Sequence, residues 1–389
     1  MTQLTWEGLD KQGLFRWFHQ HPELGHAEKA TTARLKAILQ QAGLTFLPWQ
    51  LPTGLAVAID GAQPGKTALL RADIDALPIT EKTELAYKSQ NPGCMHACGH
   101  DFHMTAVLGA ALLLQAQRAK LHGRVLVVFQ PAEETSGGAA EVLQGGIARG
   151  VSEYWGLHVT NALPVGTLGL SSGSVMASVD SFKVTVTGKG THGATPEKGN
   201  NPLPILAALV QELPVLAQRK ADPLHAKVLS ITHVEGGNTW NVIPETAFLE
   251  GTLRCQNPED RTVVKQAFYK FVEKYTAARG ARSEILWHRG PAPVVNDAEL
   301  IEFAAELARH NGWQVRPVEL SMAGDDFSYY KELGAPGALS AYMKIGVGGA
   351  HPIHDPAFQA DPAALEPTAQ FLAALLTARL QFSYAKWRL

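Results

Sequence analysis

Glu133 and Glu134 stand side by side at the end of an apolar run, Arg124-Val-Leu-Val-Val-Phe-Gln130-Pro-Ala-Glu133-Glu134. Along a strand, neighbours point to opposite faces, but at a strand end both side chains can turn into one cleft. Two carboxylates in one cleft repel unless a proton or a metal ion stands between them. Donors suited to a metal occur in Cys94-Met-His96-Ala-Cys98-Gly-His100-Asp101-Phe-His103, in Gly156-Leu-His158-Val159 and in His354-Asp-Pro-Ala-Phe358. Thiolate, imidazole and carboxylate are the usual ligands of zinc and similar ions. A thiolate needs a positive neighbour at neutral pH, and a metal supplies one. One glutamate would bind the metal and the other would move protons; the residues alone do not say which.

Each group also has an ordinary reading. A histidine near a strand end is commonly a hydrogen-bonded core or surface residue, and the chain holds 15 of them. Cys94 and Cys98 can be inert buried thiols, and Glu133-Glu134 a solvated loop. The density of His96-Ala-Cys98-Gly-His100 favours the metal reading.

The elements must bring these residues together. Helical apolar spacing is read over 7–20 and 27–42, with Gly43 as a stop, and from 101 or 102 to about 118. Strands are expected at 54–60, 67–72, 124–129 and 154–159. Near-continuous apolar strands alternating with helices predict an α/β sheet covered on both faces. The candidates Cys98, His100, Glu134 and His158 then fall at strand ends or in the loops beyond them, the edge where open α/β sheets bind ligands. His354 would return from the far end of the chain to close the site. From about 179 the order changes to strand 180–188, helix 201–218, strands 226–235 and 245–254, helix 258–278 and strand 282–288. That is the β-α-β-β-α-β order of a ferredoxin-like α+β domain. Helices at 297–311 and 363–381 resume the first pattern. The expected division is 1–178 and 291–389 for a discontinuous catalytic domain, with 179–290 inserted.

Composition bounds the function. A chain of 389 residues with 46% hydrophobic and 18% charged residues has ample core for two domains. A net charge of −2 argues against a nucleic-acid partner. No apolar run reaches membrane-spanning length, and the N-terminus reads as no signal peptide. With three cysteines, Cys94, Cys98 and Cys255, reduced thiols in a cytoplasm are expected.

Arg71-Ala-Asp-Ile-Asp75-Ala-Leu-Pro78, His96-Ala-Cys-Gly-His-Asp-Phe-His103, Gln130-Pro-Ala-Glu-Glu134, Gly156-Leu-His-Val159 and His354-Asp-Pro-Ala-Phe358 carry a resemblance. The set resembles the aminoacylase/carboxypeptidase family of dinuclear metallohydrolases, almost end to end and in order. More narrowly it is similar to the branch of hippurate hydrolases, N-acyl-amino-acid amidohydrolases and auxin-conjugate hydrolases. Phe18-His-Gln-His21-Pro-Glu-Leu-Gly25 fits this branch too. The resemblance implies a mixed-sheet α/β/α metallohydrolase domain with an inserted lid and dimerisation domain. It implies two divalent ions roughly 3.5–4 Å apart. Cys98 takes the bridging position, with His100, Glu134, His158 and His354 as the other ligands. Glu133 is the general base and Asp75 supports the site; Asp73 and Asp101 are further candidates for support. Zinc, manganese, cobalt and nickel all suit such donors.

Three features of the inserted segment look chemical: the Gly-rich turn Gly188-Lys-Gly-Thr-His192-Gly-Ala-Thr-Pro196, the connection Gly236-Gly-Asn-Thr-Trp-Asn241-Val-Ile-Pro244, and Arg254. By themselves these are glycine turns and a surface arginine. The resemblance implies that His192 reaches a partner subunit's site and holds an oxyanion, and that Asn241 and Arg254 bind a substrate carboxylate, for which a guanidinium fork is suited. The implied substrate is an N-acyl amino acid and the implied assembly a homodimer. Asp325-Asp326-Phe327 departs from the branch's usual Glu-Asp-Phe; Glu197, Asn201 and Thr160-Asn161 depart as well. These bear on the substrate side chain rather than on the reaction. Two rivals remain: a cysteine hydrolase with Cys98 as nucleophile and His100 or His158 as base, and a non-catalytic metal-dependent binder of amino-acid conjugates, which has no need of Glu133.

Overall fold

The computed structural model describes residues 3–135 and 137–381. The chain forms two compact units. The first comprises Met1–Gly173, Val295–Glu319 and Asp326–Leu389; the second comprises Ser174–Val294 and Leu320–Asp325.

The first unit opens with helices α1 (Lys11–Gln20) and α2 (Lys29–Gln41). Helix α1 starts four residues later than its apolar spacing suggests, because Asp10 caps it by accepting from the Gly13 amide. Strands β1 (Thr45–Phe46), β2 (Leu55–Asp60) and β3 (Gln63–Asp73) follow, then α3 (His100–Ala116), β4 (His122–Gln130), α4 (Gly138–Gln144), β5 (Glu153–Thr160) and β6 (Thr167–Gly169). Helix α3 is buried on nearly every side, as its unbroken apolar sequence requires.

The second unit contains β7 (Asp180–Thr187), β8 (Thr191–His192), α5 (Pro202–Lys220), β9 (Lys227–Gly236), β10 (Val242–Ile243), β11 (Thr246–Cys255), α6 (Pro258–Ala277) and β12 (Arg282–Arg289). Asn201 and Asn257 cap α5 and α6, each followed by proline at the first helical position. The four long strands form an antiparallel sheet in the order β9-β11-β7-β12. With α5 and α6 this is the ferredoxin-like arrangement. Its core gathers Val184, Leu209, Leu249, Phe268 and neighbours.

The chain then completes the first unit with α7 (Ala298–His310), β13 (Gln314–Arg316), α8 (Ser328–Leu333), β14 (Leu339–Gly346) and α9 (Leu365–Gln381). The resulting sheet has eight strands in the order β1-β2-β4-β3-β5-β14-β6-β13. It is mixed: β4, β3, β5 and β14 run parallel, while β1, β2 and β6 supply antiparallel pairs. Val125, Val127 and Phe129 of β4 enter a core shared with α1, α2, α3 and α9. The alternate residues turn to the other face, where Gln130 meets Tyr330 of α8. Among the described residues no helix is long and apolar enough to cross a membrane.

Candidate active site

Because β3, β4, β5 and β14 are parallel, their C-terminal ends share one edge of the sheet. Asp73 ends β3 and Asp75 lies two residues beyond it. Glu133 and Glu134 occupy the turn after β4, and His158 sits near the end of β5. Cys98 and His100 flank Gly99, whose φ of 82° opens α3; a Cβ there would lie 2.4 Å from Val159 Cγ2. Only glycine fits that position. Ala132 (φ 57°) and His354 (φ 67°) adopt left-handed backbone without being glycine, immediately before Glu133 and at the closing histidine. Such strain persists where surroundings enforce it. The Ala132 amide donates to buried Glu28, and the His354 amide to the Ala97 carbonyl.

These elements bring five of the expected ligands into two groups that share Cys98. Ligand atoms of Cys98, His100 and His158 lie within 4.8 Å of one another, as do those of Cys98, Glu134 and His354. Cys98 Sγ is 3.3 Å from His158 Nε2 and 3.3 Å from His354 Nε2; His354 Nε2 is 3.6 Å from Glu134 Oε1. Tetrahedral zinc separates a thiolate sulfur from an imidazole nitrogen by roughly 3.5 Å, from bond lengths of about 2.3 and 2.0 Å. The His100 Nδ1–H donates to the Asp75 carbonyl at 2.9 Å, and His158 Nδ1–H to the Val159 carbonyl at 2.8 Å. Each ring therefore turns Nε2 into the cluster, with its other nitrogen anchored as is usual for metal-bound histidine. Asp75 accepts the Glu134 amide at 3.0 Å. His100 Nε2, Glu134 Oε1 and Asp75 Oδ1 are buried without a hydrogen-bond partner. Buried polar atoms are seldom left so; the His100 imidazole and Glu134 carboxylate fit a divalent cation, while Asp75 Oδ1 lies 3.3 Å from His100 Nδ1.

Charge points the same way. Burial pushes the Cys98 thiol far up, with the nearby glutamates adding to the shift and His100 opposing it. Burial also raises Glu134. It works against a charge on His100 too, but Asp73 and Cys98 outweigh it and hold that imidazole well above its ordinary range. Burial, aided by Lys344, keeps His158 well below its own. A thiol in this state is a poor nucleophile, whereas a cation beside it would hold it as thiolate.

Glu133 Oε2 stands 4.0 Å from His100 Nε2, and its Oε1 3.5 Å from the Asp326 amide. Behind the cluster lies a network that sequence reasoning missed. Arg71, fully buried, donates to Gln130 Oε1 (2.9 Å), Asp73 Oδ2 (2.5 Å) and Asp326 Oδ1 (2.7 Å). His103 Nδ1–H donates to Asp73 Oδ1 at 2.6 Å, and His103 Nε2 accepts the Val159 amide at 2.9 Å. Asp73, His100 and His103 also form a compact group, but Asp73 has both oxygens engaged by Arg71 and His103. The sequence signal was present: a charged residue inside the apolar strand β3 must be paired. Asp101 lies apart from the cluster, accepting from His19 Nδ1–H at 2.7 Å.

In the second unit His192 and Asn241 are neighbours. His192 pairs with Val242 across β8 and β10, and the Gly193 amide donates to the Asn241 carbonyl at 2.8 Å. The His192 ring is exposed, with Nδ1 accepting from the Ala194 amide. Trp240 beside them is 94% exposed. Arg254 is at the other end of β11, its Nε–H donating to Thr252 Oγ1. From Thr246, where the hairpin joins β11, to Arg254 is roughly 26 Å at about 3.3 Å per residue. That span separates Arg254 from the end of β11 at which the connection carrying Asn241 enters.

Comparison with known proteins agrees with this architecture. The model of the peptidase family M20/M25/M40 matches residues 69–378. The chain is 42% identical over 366 residues to the N-acetyl-L-cysteine deacetylase of Bacillus subtilis (strain 168), covering 94% of this chain and 87% of the relative. It is 35% identical over 377 residues to the IAA-amino acid hydrolase ILR1-like 5 of Arabidopsis thaliana, covering 94% and 85%. The crystal structure of the Bacillus subtilis YXEP protein, a dinuclear metal binding peptidase from the M20 family, superposes with a TM-score of 0.86 at 37% identity, covering 95% of this chain and 98% of that one. With its fold, its cluster and these relatives in agreement, the chain belongs to the peptidase family M20/M25/M40.

Proposed function

We propose that this protein is a metal-dependent amidohydrolase that cleaves the amide bond of N-acyl amino acids, with Glu133 as general base. The observation that carries the reading is the pair of ligand groups sharing Cys98, with Glu133 at their margin. Cys98, His100 and His158 would hold one divalent ion, and Cys98, Glu134 and His354 the other. When bound, such ions polarise an amide carbonyl and lower the pKa of water. Glu133 takes the proton of the attacking water and returns it to the leaving amine. Asp75 fixes both sides of the cluster, its carbonyl on His100 and its carboxylate on the Glu134 amide. A deacetylase and an auxin-conjugate hydrolase among the relatives support this bond type. Zinc, manganese, cobalt and nickel are the candidate ions.

We further read the active unit as a homodimer. Arg254 and Asn241 would then meet one substrate carboxylate from two copies. His192 would come with Asn241, and the exposed Trp240 next to them suits a subunit contact.

The test is a panel of N-acetyl, N-benzoyl and N-indoleacetyl amino acids, assayed after metal removal and re-addition, with a parallel arm treated with iodoacetamide in the presence of metal. Hydrolysis should disappear with the metal, return on adding it, and tolerate iodoacetamide, because Cys98 is buried. Activity that survives chelation and is abolished by iodoacetamide would establish the Cys98-nucleophile mechanism instead.

A further inference from the structure

We propose that Arg71 is a positioning residue that locks the base Glu133 to the ligands His100 and His158. The proposal rests on the hydrolase reading for the role of Glu133. Arg71 is fully buried on β3 and its guanidinium is committed in three directions. One direction leads to the base. Asp326, held by Arg71, by Gln130 Nε2 and by the Ala139 amide, presents its own amide to Glu133 Oε1. A second direction leads to the ligands. Asp73 Oδ2 lies 3.6 Å from His100 Nε2, and Asp73 Oδ1 holds His103. His103 in turn receives the Val159 amide, whose carbonyl fixes His158 Nδ1. The third direction, to Gln130, closes the ring, since Gln130 also binds Asp326.

The network thus spans β3, β4, β5, α3, α4 and the segment just before α8, joining residues up to 255 positions apart in sequence. Arg71 supplies the positive charge for two buried aspartates, and the planar fork sets their angle. A lysine would keep the charge and lose the directions. Misplacing a reacting group by about 1 Å costs on the order of 100-fold in rate.

The experiment compares wild type, Arg71→Lys, Asp326→Asn, Glu133→Gln and the Arg71→Lys/Glu133→Gln double variant. For each, thermal stability, bound Co2+ content, the thiolate-to-cobalt absorption band, kcat and KM are measured on an N-acetyl amino acid. Arg71→Lys should lower kcat by about 100-fold while KM changes little, and should shift the cobalt band. Its effect should largely vanish in the Glu133→Gln background. Retention of wild-type kcat and an unaltered band in Arg71→Lys would overturn the proposal, as would losses that multiply in the double variant. If Arg71→Lys does not fold, Asp326→Asn carries the same test, because it preserves shape and weakens the same link. If wild type hydrolyses no N-acyl amino acid, the functional reading fails, and the cobalt band alone decides whether Arg71 orders the ligands.

Discussion

At the scale of single residues, the proposed division of work between the two glutamates rests on where the turn after β4 sends them. Both carboxylates stand 4.0 Å from His100 Nε2, but Glu134 Oε1 also faces His354 at 3.6 Å, whereas Glu133 Oε1 meets the Asp326 amide. Glu133→Gln should therefore keep the bound metal and lose roughly 10²–10⁴ in kcat, the usual worth of a general base. Metal content by mass spectrometry beside steady-state rates checks this, and an unchanged kcat would remove Glu133 from the mechanism. The candidate ligands stood out in the sequence because a Cys-Gly-His run and a paired glutamate are unusual in apolar surroundings. Arg71 was not given a role because its partner Asp326 is 255 residues away, and no local pattern encodes such a pair.

At the scale of elements, long periodic segments were readable and short ones were not. Helices α4 and α8 and strands β6 and β13 span 7, 6, 3 and 3 residues, too few to display a period. Yet α4 and α8 flank the face of the sheet that carries the Arg71 network. Helix α1 contributes a buried anchor of its own. His19 lies between Asp101 at the start of α3 and Glu81 of the loop before it, at 2.7 and 3.2 Å. Burial opposes a charge on His19, but the two carboxylates outweigh it and hold the imidazole up at about 9, against an ordinary 6.5. A raised histidine stabilises the fold fully below its unfolded pKa, and that stability is lost as pH rises through the folded value. The shift is worth on the order of 3 kcal/mol. The difference in melting temperature between wild type and His19→Gln should thus be widest near pH 6 and close towards pH 9.5. A pH-independent difference over that range would mean that His19 acts through packing alone.

At the scale of the whole molecule, the sequence predicted an α/β fold, and the structure has one, built on an eight-stranded mixed sheet. The sequence did not foretell that Arg254 lies at the end of β11 away from the connection that carries Asn241, because strand length becomes a distance only when the register is known. If His192 serves a partner's site, mixing inactive Glu133→Gln with inactive His192→Ala and allowing subunits to exchange should restore activity that neither has alone. No recovery after demonstrated exchange would place His192 in its own subunit's chemistry or outside it.

The central claim is that two metal positions sharing Cys98 create the activity. Its most direct test is a titration of metal-free protein with Co2+, following the thiolate-to-cobalt absorption band and the hydrolysis of an N-acetyl amino acid together. The account predicts that the metal-free chain is inactive, that both signals saturate at two ions per chain, and that Cys98→Ala shows neither. Full hydrolysis before any metal is added, or activity in Cys98→Ala equal to wild type, would contradict it.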